Sequence, residues 1–270
     1  MGSAQVTSPR ENNADGADEP VVERVRATQI DRPWQRSSAV SEVDAYLTQR
    51  RATDEALAAG RLRVGYKIGL TSEISQRKFD TDHPTFGVIF DDTVVRTTAL
   101  SRHEYVVPKL EPEIAFRFDK GLAGIGLTVE DVLQAASAIV PAIEIADSRY
   151  GTWDINYVDS ICDNASAAGA LFCEQGQSLS VDFVRRPSCR ILRNGEAIAS
   201  EDATDPKLQV AQAACSVVWL VESLALFHEC IEPGMFVLSG ALTNAVDIRI
   251  GDHFEVEFNA STVFDLTVAP

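Results

Sequence analysis

The sequence predicts an α+β fold, on three observations. Residues 107–118 and 142–147 alternate apolar with other side chains at period two, the pattern of strands. Segments starting near Ser41, Thr128 and Asp205 carry apolar residues at helical spacing. From Pro233 onward the chain consists of short apolar runs separated by Gly-Ala, Asn-Ala and Gly-Asp connections, which read as mostly β. With 270 residues, 45% of them hydrophobic, the chain buries a sizeable core.

Composition removes some functions. A formal net charge of −16 disfavours nucleic acid and anionic membranes as partners. An anionic substrate would need local cations to draw it in. The five cysteines form no C-x-x-C and no tight cluster, which fits free thiols in a reducing compartment. Residues 1–20 lack the basic start and apolar run of a secretory signal, and no stretch reaches membrane-spanning length. A cytoplasmic protein is expected.

Residues 1–20, rich in Asn, Asp, Ser, Gly and Ala, read as a disordered tail. Residues 21–60 form an N-terminal helical segment, in which Val43, Leu47, Ala52 and Leu57 stand near helical spacing and Gly60 marks the stop. Residues 61–270 are expected to form the main domain. In it L-R-V-G-Y-K-I-G-L, residues 62–70, reads as a strand whose Gly65 and Gly69 flank Lys67, leaving that lysine uncrowded. An ordinary exposed lysine is the plainer reading of that segment alone. H-P-T-F-G then leads into a short apolar strand, with His83 as a loop histidine rather than a ligand. Thr128 caps a helix with Val132, Leu133, Ala136, Ile139 and Val140 on its buried face and Pro141 as its end. Asn194-Gly195 turns a hairpin within residues 189–200. Asp205-Pro206 opens the longest helix, whose stripe of Val210, Ala214, Val217, Leu220, Val221, Leu224 and Phe227 is core.

The chemistry is placed in V-P-K-L-E-P-E-I-A-F-R-F, residues 107–118. As a strand it puts Ile114, Phe116 and Phe118 on one face and Glu111 and Glu113 on the other. Adjacent carboxylates repel, and open water, a shared proton or a divalent cation offsets that repulsion. Water is the commoner answer for a lone E-x-E, and a cation needs a third oxygen ligand. Glu144, between the small Ala142 and Ala146 on one face of A-I-E-I-A-D, is the candidate. D-S-I-C-D-N-A-S-A-A-G, residues 159–169, adds small residues that turn readily and donate hydrogen bonds.

The ordered series G-Y-K-I-G-L-T-S, H-P-T-F-G, L-E-P-E-I-A-F, P-A-I-E-I-A-D-S-R-Y, D-N-A-S, S-G-A-L and G-D-H-F-E-V, from about Asp44 to Val268, carries a resemblance. It resembles the 2-keto-4-pentenoate hydratase and 4-oxalocrotonate decarboxylase branch of the fumarylacetoacetate hydrolase-like superfamily. The resemblance implies a mixed β-roll or sandwich of the fumarylacetoacetate hydrolase C-terminal-domain type with flanking helices, and homo-oligomers. It implies Mg²⁺ or Mn²⁺ on Glu111, Glu113 and Glu144, with Lys67 and Ser166 as catalytic groups. Thr85, Leu110, Asn164 and Ser239 fall at substrate-binding positions, and the substrate is a small anionic 2-oxo acid.

One departure stands out. Hydratases of this group usually carry Asp at the position of Thr85, and threonine is no base at neutral pH, so Asp91, Asp92 or Asp163 is expected to substitute. E-P-E-I-A-F and D-S-R-Y lean toward the decarboxylase side, and S-E-D-A-T-D-P-K, residues 200–207, departs from the glycine-rich family version. The leading expectation is a hydratase of 2-hydroxy-2,4-dienoates in aromatic meta-cleavage catabolism. Decarboxylation of a 2-oxo-3-enedioate comes second. An acylpyruvate hydrolase lacks its histidine–carboxylate pair, and retention of the three glutamates and Lys67 argues against a non-catalytic partner subunit.

Overall fold

The structure is a computed structural model, and it describes residues 41–173, 188–202 and 206–270. The tail at 1–20, the first half of the N-terminal helical segment and residues 203–205 lie outside the described residues.

The elements run α1 (Glu42–Ala58), β1 (Arg63–Gly69), α2 (Glu73–Lys78), β2 (Thr85–Phe90), β3 (Ala99–Ser101), β4 (Lys109–Phe118), α3 (Val129–Ala135), β5 (Ala136–Ala146), α4 (Tyr157–Cys162), β6 (Ala167–Phe172), β7 (Ser188–Arg193), β8 (Glu196–Asp202), α5 (Pro206–Ala225), β9 (Phe236–Ala241), β10 (Val246–Asp247), β11 (His253–Phe258) and β12 (Ser261–Ala269). One sheet has the order β2-β1-β9-β4-β5-β6, with β10 also on β4; the other has the order β3-β12-β11-β7-β8. Both are mixed, since β1–β9 and β12–β3 pair in parallel and the other pairs are antiparallel. This is the predicted α+β class.

The first sheet curls until its edges meet. Val95 donates to the Ala170 carbonyl at 2.9 Å. The Asn164 side-chain amide, just before β6, exchanges two hydrogen bonds with the backbone of Val88 on β2, at 2.8 and 2.9 Å. The strand period then sorts side chains in two. Tyr66, Leu110, Phe116, Phe118, Ile143 and Ile145 face outward into the main core, shared with α1, α5 and the second sheet. Ile89, Ala115, Ala142, Ala170 and Leu238 face inward. Three of these five are alanines, small side chains beside the inward glutamates.

Two expectations change. The helix predicted to reach Val140 ends at Ala135, and β5 runs straight through Pro141. β-Branched Ile139, Val140, Ile143 and Ile145 favour a strand. Pro141 stands opposite Ile114 on β4 and accepts the Cys173 N–H through its carbonyl, so its missing N–H falls at the end of the β5–β6 pairing, where it interrupts the ladder least. In α1, Val43 and Leu47 are 65% and 49% exposed, whereas Ala45, Tyr46, Gln49, Ala52, Thr53 and Ala56 are buried. Tyr46 stacks on Phe86 at 4.7 Å, and Gln49 donates to the carbonyls of Phe86 and Ile161. An aromatic ring and a satisfied amide therefore outweigh the aliphatic stripe.

Other expectations hold. Asn194 and Gly195 both have positive φ in the β7–β8 turn. The apolar stripe of α5 is buried from Val210 to Leu224. Gly240-Ala241 is an exception, closing β9 rather than connecting strands. All five cysteines are free. Among the described residues no helix is long and apolar enough to cross a membrane.

Candidate functional site

The site forms where inward positions of four strands converge. Glu111 on β4 stands directly opposite Glu144 on β5, and Glu113 stands opposite Ala142. One oxygen from each glutamate lies within 4.8 Å of the others. Like charges directly opposite on a sheet destabilise it, and here burial removes the water that would screen them. Glu113 is 0% and Glu144 1% exposed. Glu113 Oε2 accepts the backbone N–H of Gly240 at 2.8 Å. Among the described residues its Oε1 and the Glu144 Oε2 have no hydrogen-bond partner. Lys67 on β1 places Nζ 3.0 Å from Glu144 Oε1. One ammonium against three carboxylates leaves an excess of negative charge and open oxygen lone pairs, a donor set that fits a hard dication.

The protonation pattern follows from the same crowding. Burial, with Glu144 second, pushes the Glu111 carboxyl up to about 7, against the pull of Lys67. Burial and both neighbouring carboxylates push Glu113 well above the carboxylate range, against the Gly240 N–H. For Lys67, burial favours the neutral amine, but Glu144, Glu111 and Glu113 outweigh it, so the ammonium is held above its ordinary range.

A pH dependence follows. In the metal-free protein Glu111 holds a proton that the unfolded chain releases near pH 4.5, so its contribution to stability is lost as pH rises through about 7, and Glu113, raised by the same crowding, acts in the same direction. A dication needs the ionised forms and competes with those protons. The rise in melting temperature on adding Mn²⁺ is therefore expected to be larger at pH 8 than at pH 6, with affinity rising about tenfold for one carboxyl titrating near 7. Equal shifts at both pH values would contradict it. Comparing with and without metal at each pH cancels groups that titrate elsewhere.

Glycines make the approach possible. A Cβ on Gly69 would stand 2.9 Å from Thr85 Oγ1 and 3.2 Å from Lys67 Nζ, so the threonine hydroxyl and the ammonium share the space above that residue. A Cβ on Gly87 would overlap the Asn164 carbonyl oxygen. Gly87 pairs with Lys67 across β1–β2, so the 164–166 turn is seated beside the lysine. A small cleft adjoins Lys67 and Glu144, lined further by Ile89, Ala168 and Leu238.

The turn itself is unusual. Asn164, Ala165 and Ser166 all have φ between +51° and +60°. Each such non-glycine residue costs on the order of 1–2 kcal/mol, so surrounding contacts must hold the turn. Ser166 is buried, and among the described residues its Oγ has no hydrogen-bond partner.

Other expected residues fall elsewhere. Leu110 and Ser239 neighbour inward residues in sequence, so the strand period turns their side chains outward: Leu110 is core, and Ser239 Oγ donates to the Ile114 carbonyl at 3.0 Å. Neither side chain reaches the site. Asn164 holds Val88 with both amide atoms, a positioning role in place of the expected substrate contact. Asp163 pairs with Arg149, its Oδ1 2.5 Å from Nε, so it is an anchored partner rather than a free base. Asp91 accepts the Leu62 N–H, and Asp92 pairs with Arg61. His83 bridges Glu42 and Asp82. Sequence reading missed the Gly240 N–H and Arg149. The arginine stood in D-S-R-Y, where a charge between strand and turn signals a backbone clamp.

No family model matches the chain. A 2-keto-4-pentenoate hydratase from Paraburkholderia xenovorans (strain LB400) is 35% identical over 227 residues, covering 80% of each chain. The TodF product hydratase of Pseudomonas putida is 37% identical over 221 residues, covering 78% of each. In structure, the chain is similar to the 4-oxalocrotonate decarboxylase from Pseudomonas putida G7 complexed with magnesium and adipate, with TM-score 0.83 and 24% identity over 92% of this chain and 95% of that one. That likeness supports the fumarylacetoacetate hydrolase-like fold already seen in the curled sheet. With identity above 30% across about four-fifths of each hydratase, the chain is an enzyme that belongs to the 2-keto-4-pentenoate hydratase family.

Proposed function

We propose that the protein is a divalent-metal-dependent hydratase that adds water to a 2-hydroxy-2,4-dienoate in aromatic meta-cleavage catabolism. The observation that carries this reading is the buried cluster of Glu111, Glu113 and Glu144 beside Lys67, in a chain of this family. The three carboxylates would hold Mg²⁺ or Mn²⁺, which supplies Lewis-acid stabilisation for negative charge developing on a 2-oxo acid's oxygen. Lys67, its Nζ 3.0 Å from Glu144 Oε1, adds a local cation for an anionic substrate to a chain whose net charge is −16. It carries a proton to the dienol carbon or anchors a substrate oxygen. Thr85 and Ser166 offer hydroxyls to substrate or water, and Ala115, Ala142 and Leu238 keep the diene in an apolar surround.

With Asp91, Asp92 and Asp163 all engaged, Lys67 is the charged proton carrier that remains, and Ser166, a hydroxyl like that of Thr85, serves as a hydrogen-bonding group rather than a base. Thr85 is also what favours the second reading, decarboxylation of a 2-oxo-3-enedioate, which needs no base to activate water. The relatives of 35% and 37% identity are hydratases, which favours the first. The catalytic unit lies in residues 61–270, which hold every residue named above. We further propose a cytoplasmic homo-oligomer, consistent with exposed Val43 and Leu47 on α1.

The test is to incubate purified protein and Mg²⁺ separately with 2-hydroxypenta-2,4-dienoate and 2-oxo-3-hexenedioate. Loss of dienol absorbance with formation of a 4-hydroxy-2-oxo acid is expected from the first. CO₂ from the second, with no hydration of the first, would make the enzyme a decarboxylase. Silence with both would overturn the substrate assignment.

A further inference from the structure

We infer that Arg149 is a positioning residue that acts on the reaction through the left-handed turn carrying Ser166. The inference rests on reading Ser166 as a group that meets substrate. Arg149 lies just past β5, the strand of Glu144, and its side chain is 13% exposed. Its Nη1 donates to the carbonyls of Asp147 at 3.2 Å and Ala167 at 3.0 Å, and its Nη2 donates to the carbonyl of Asp163 at 2.6 Å. The guanidinium thus grips the backbone immediately before and after residues 164–166. Its own N–H donates to Asp163 Oδ2 at 3.2 Å, while Nε faces the other carboxylate oxygen.

The clamp has a second jaw. Asp147 donates its N–H to the Ser166 carbonyl at 2.9 Å, and its carboxylate accepts the N–H groups of Val106 and Val107, which lead into β4. Opposite, Asn164 is bonded to Val88. The turn is therefore held between β2 and the extension of β5, the strands that carry Thr85 and Glu144. Three consecutive residues at positive φ do not hold this shape unaided. A planar fork of several donors suits three carbonyls in different directions, whereas a lysine ammonium supplies one point charge on a flexible stem. Among the described contacts none joins Arg149 to Glu111, Glu113 or Glu144, so its removal should move Ser166 and leave the metal ligands in place.

The test uses Arg149→Ala and Arg149→Lys, each alone and combined with Ser166→Ala. Arg149→Ala is expected to bind Mn²⁺ within about twofold of wild type and keep KM within about threefold, while kcat falls about 100-fold, the scale of a misplaced reacting group. In the Ser166→Ala background the same substitution should change kcat by less than about twofold, because positions that act as a unit are not additive. Added guanidinium should restore turnover to Arg149→Ala but not to the double variant. Hydrogen exchange should quicken at the Ser166 and Asp147 amides and stay unchanged in β4.

Multiplying losses, a fully active Arg149→Lys, or Mn²⁺ affinity falling in step with kcat would each overturn the inference. If Arg149→Ala does not fold, Arg149→Lys carries the test. If the wild-type enzyme does not hydrate the dienoate, the functional reading fails on its own, and hydrogen exchange with Mn²⁺ affinity still decides whether Arg149 holds the turn.

Discussion

Replacing Glu113 with Gln is expected to lower turnover by at least about 10³-fold and to abolish the stabilisation by Mg²⁺ or Mn²⁺, while the metal-free protein melts no lower than wild type. Glutamine keeps the volume, and its amide oxygen still accepts the Gly240 N–H that Glu113 Oε2 accepts. What disappears is a buried acid that burial, Glu144 and Glu111 together disfavour in its charged form. Loss of one anionic ligand of three removes several kcal/mol of charge stabilisation in the transition state, and about 4 kcal/mol is a thousandfold in rate. Melting curves with and without metal separate the two effects. Full turnover by Glu113→Gln would sink the metal assignment, and a large fall in metal-free stability would mean that the carboxylate has a structural partner.

Gly65→Ala carries the largest expected effect on stability, a loss of about 3 kcal/mol or more, of the kind produced by overpacking that backbone cannot relieve. A methyl group at residue 65 would overlap the carbonyl oxygen of Phe236, its neighbour across the parallel β1–β9 pair. Neither atom belongs to a flexible side chain, so the strands must separate. They separate where Lys67 and Leu238 are paired, next to the site. Gly124→Ala is the control, with φ of +89° and nothing within 4 Å of the added carbon. That change is expected to cost only about 1–2 kcal/mol, from conformation alone. Urea unfolding of both variants checks the contrast, and equal losses would mean that the β1–β9 contact relaxes freely.

The cluster of three carboxylates was legible because strand periodicity is local. Once residues 107–118 were a strand, Glu111 and Glu113 had to share a face, and small neighbours marked Glu144 as a carboxylate with room around it. Applied more strictly, the same rule would have removed Leu110 and Ser239, since each adjoins an inward residue. The boundary between α3 and β5 was not legible. An aliphatic run from Val132 to Val140 suits a helix and a strand alike, and pairing with β4 decides between them. The buried face of α1 escaped for a similar reason, because Tyr46 and Gln49 gain from Phe86 and Ile161, which are distant in sequence.

The sequence by itself determined the donors: three glutamates and a lysine on strands whose glycines and alanines leave space, with no excess of basic charge to suggest a polyanionic partner. Tertiary structure decided which donors meet. Strand register set Glu111 against Glu144, and the curl of the sheet brought β1 and its Lys67 to them. It also committed Asp163 to Arg149 and Asn164 to Val88, removing both from direct chemistry. The physical reason is range. A strand's own pattern says which way a side chain points, whereas its partner depends on hydrogen-bond ladders between segments tens of residues apart, which local spacing does not encode.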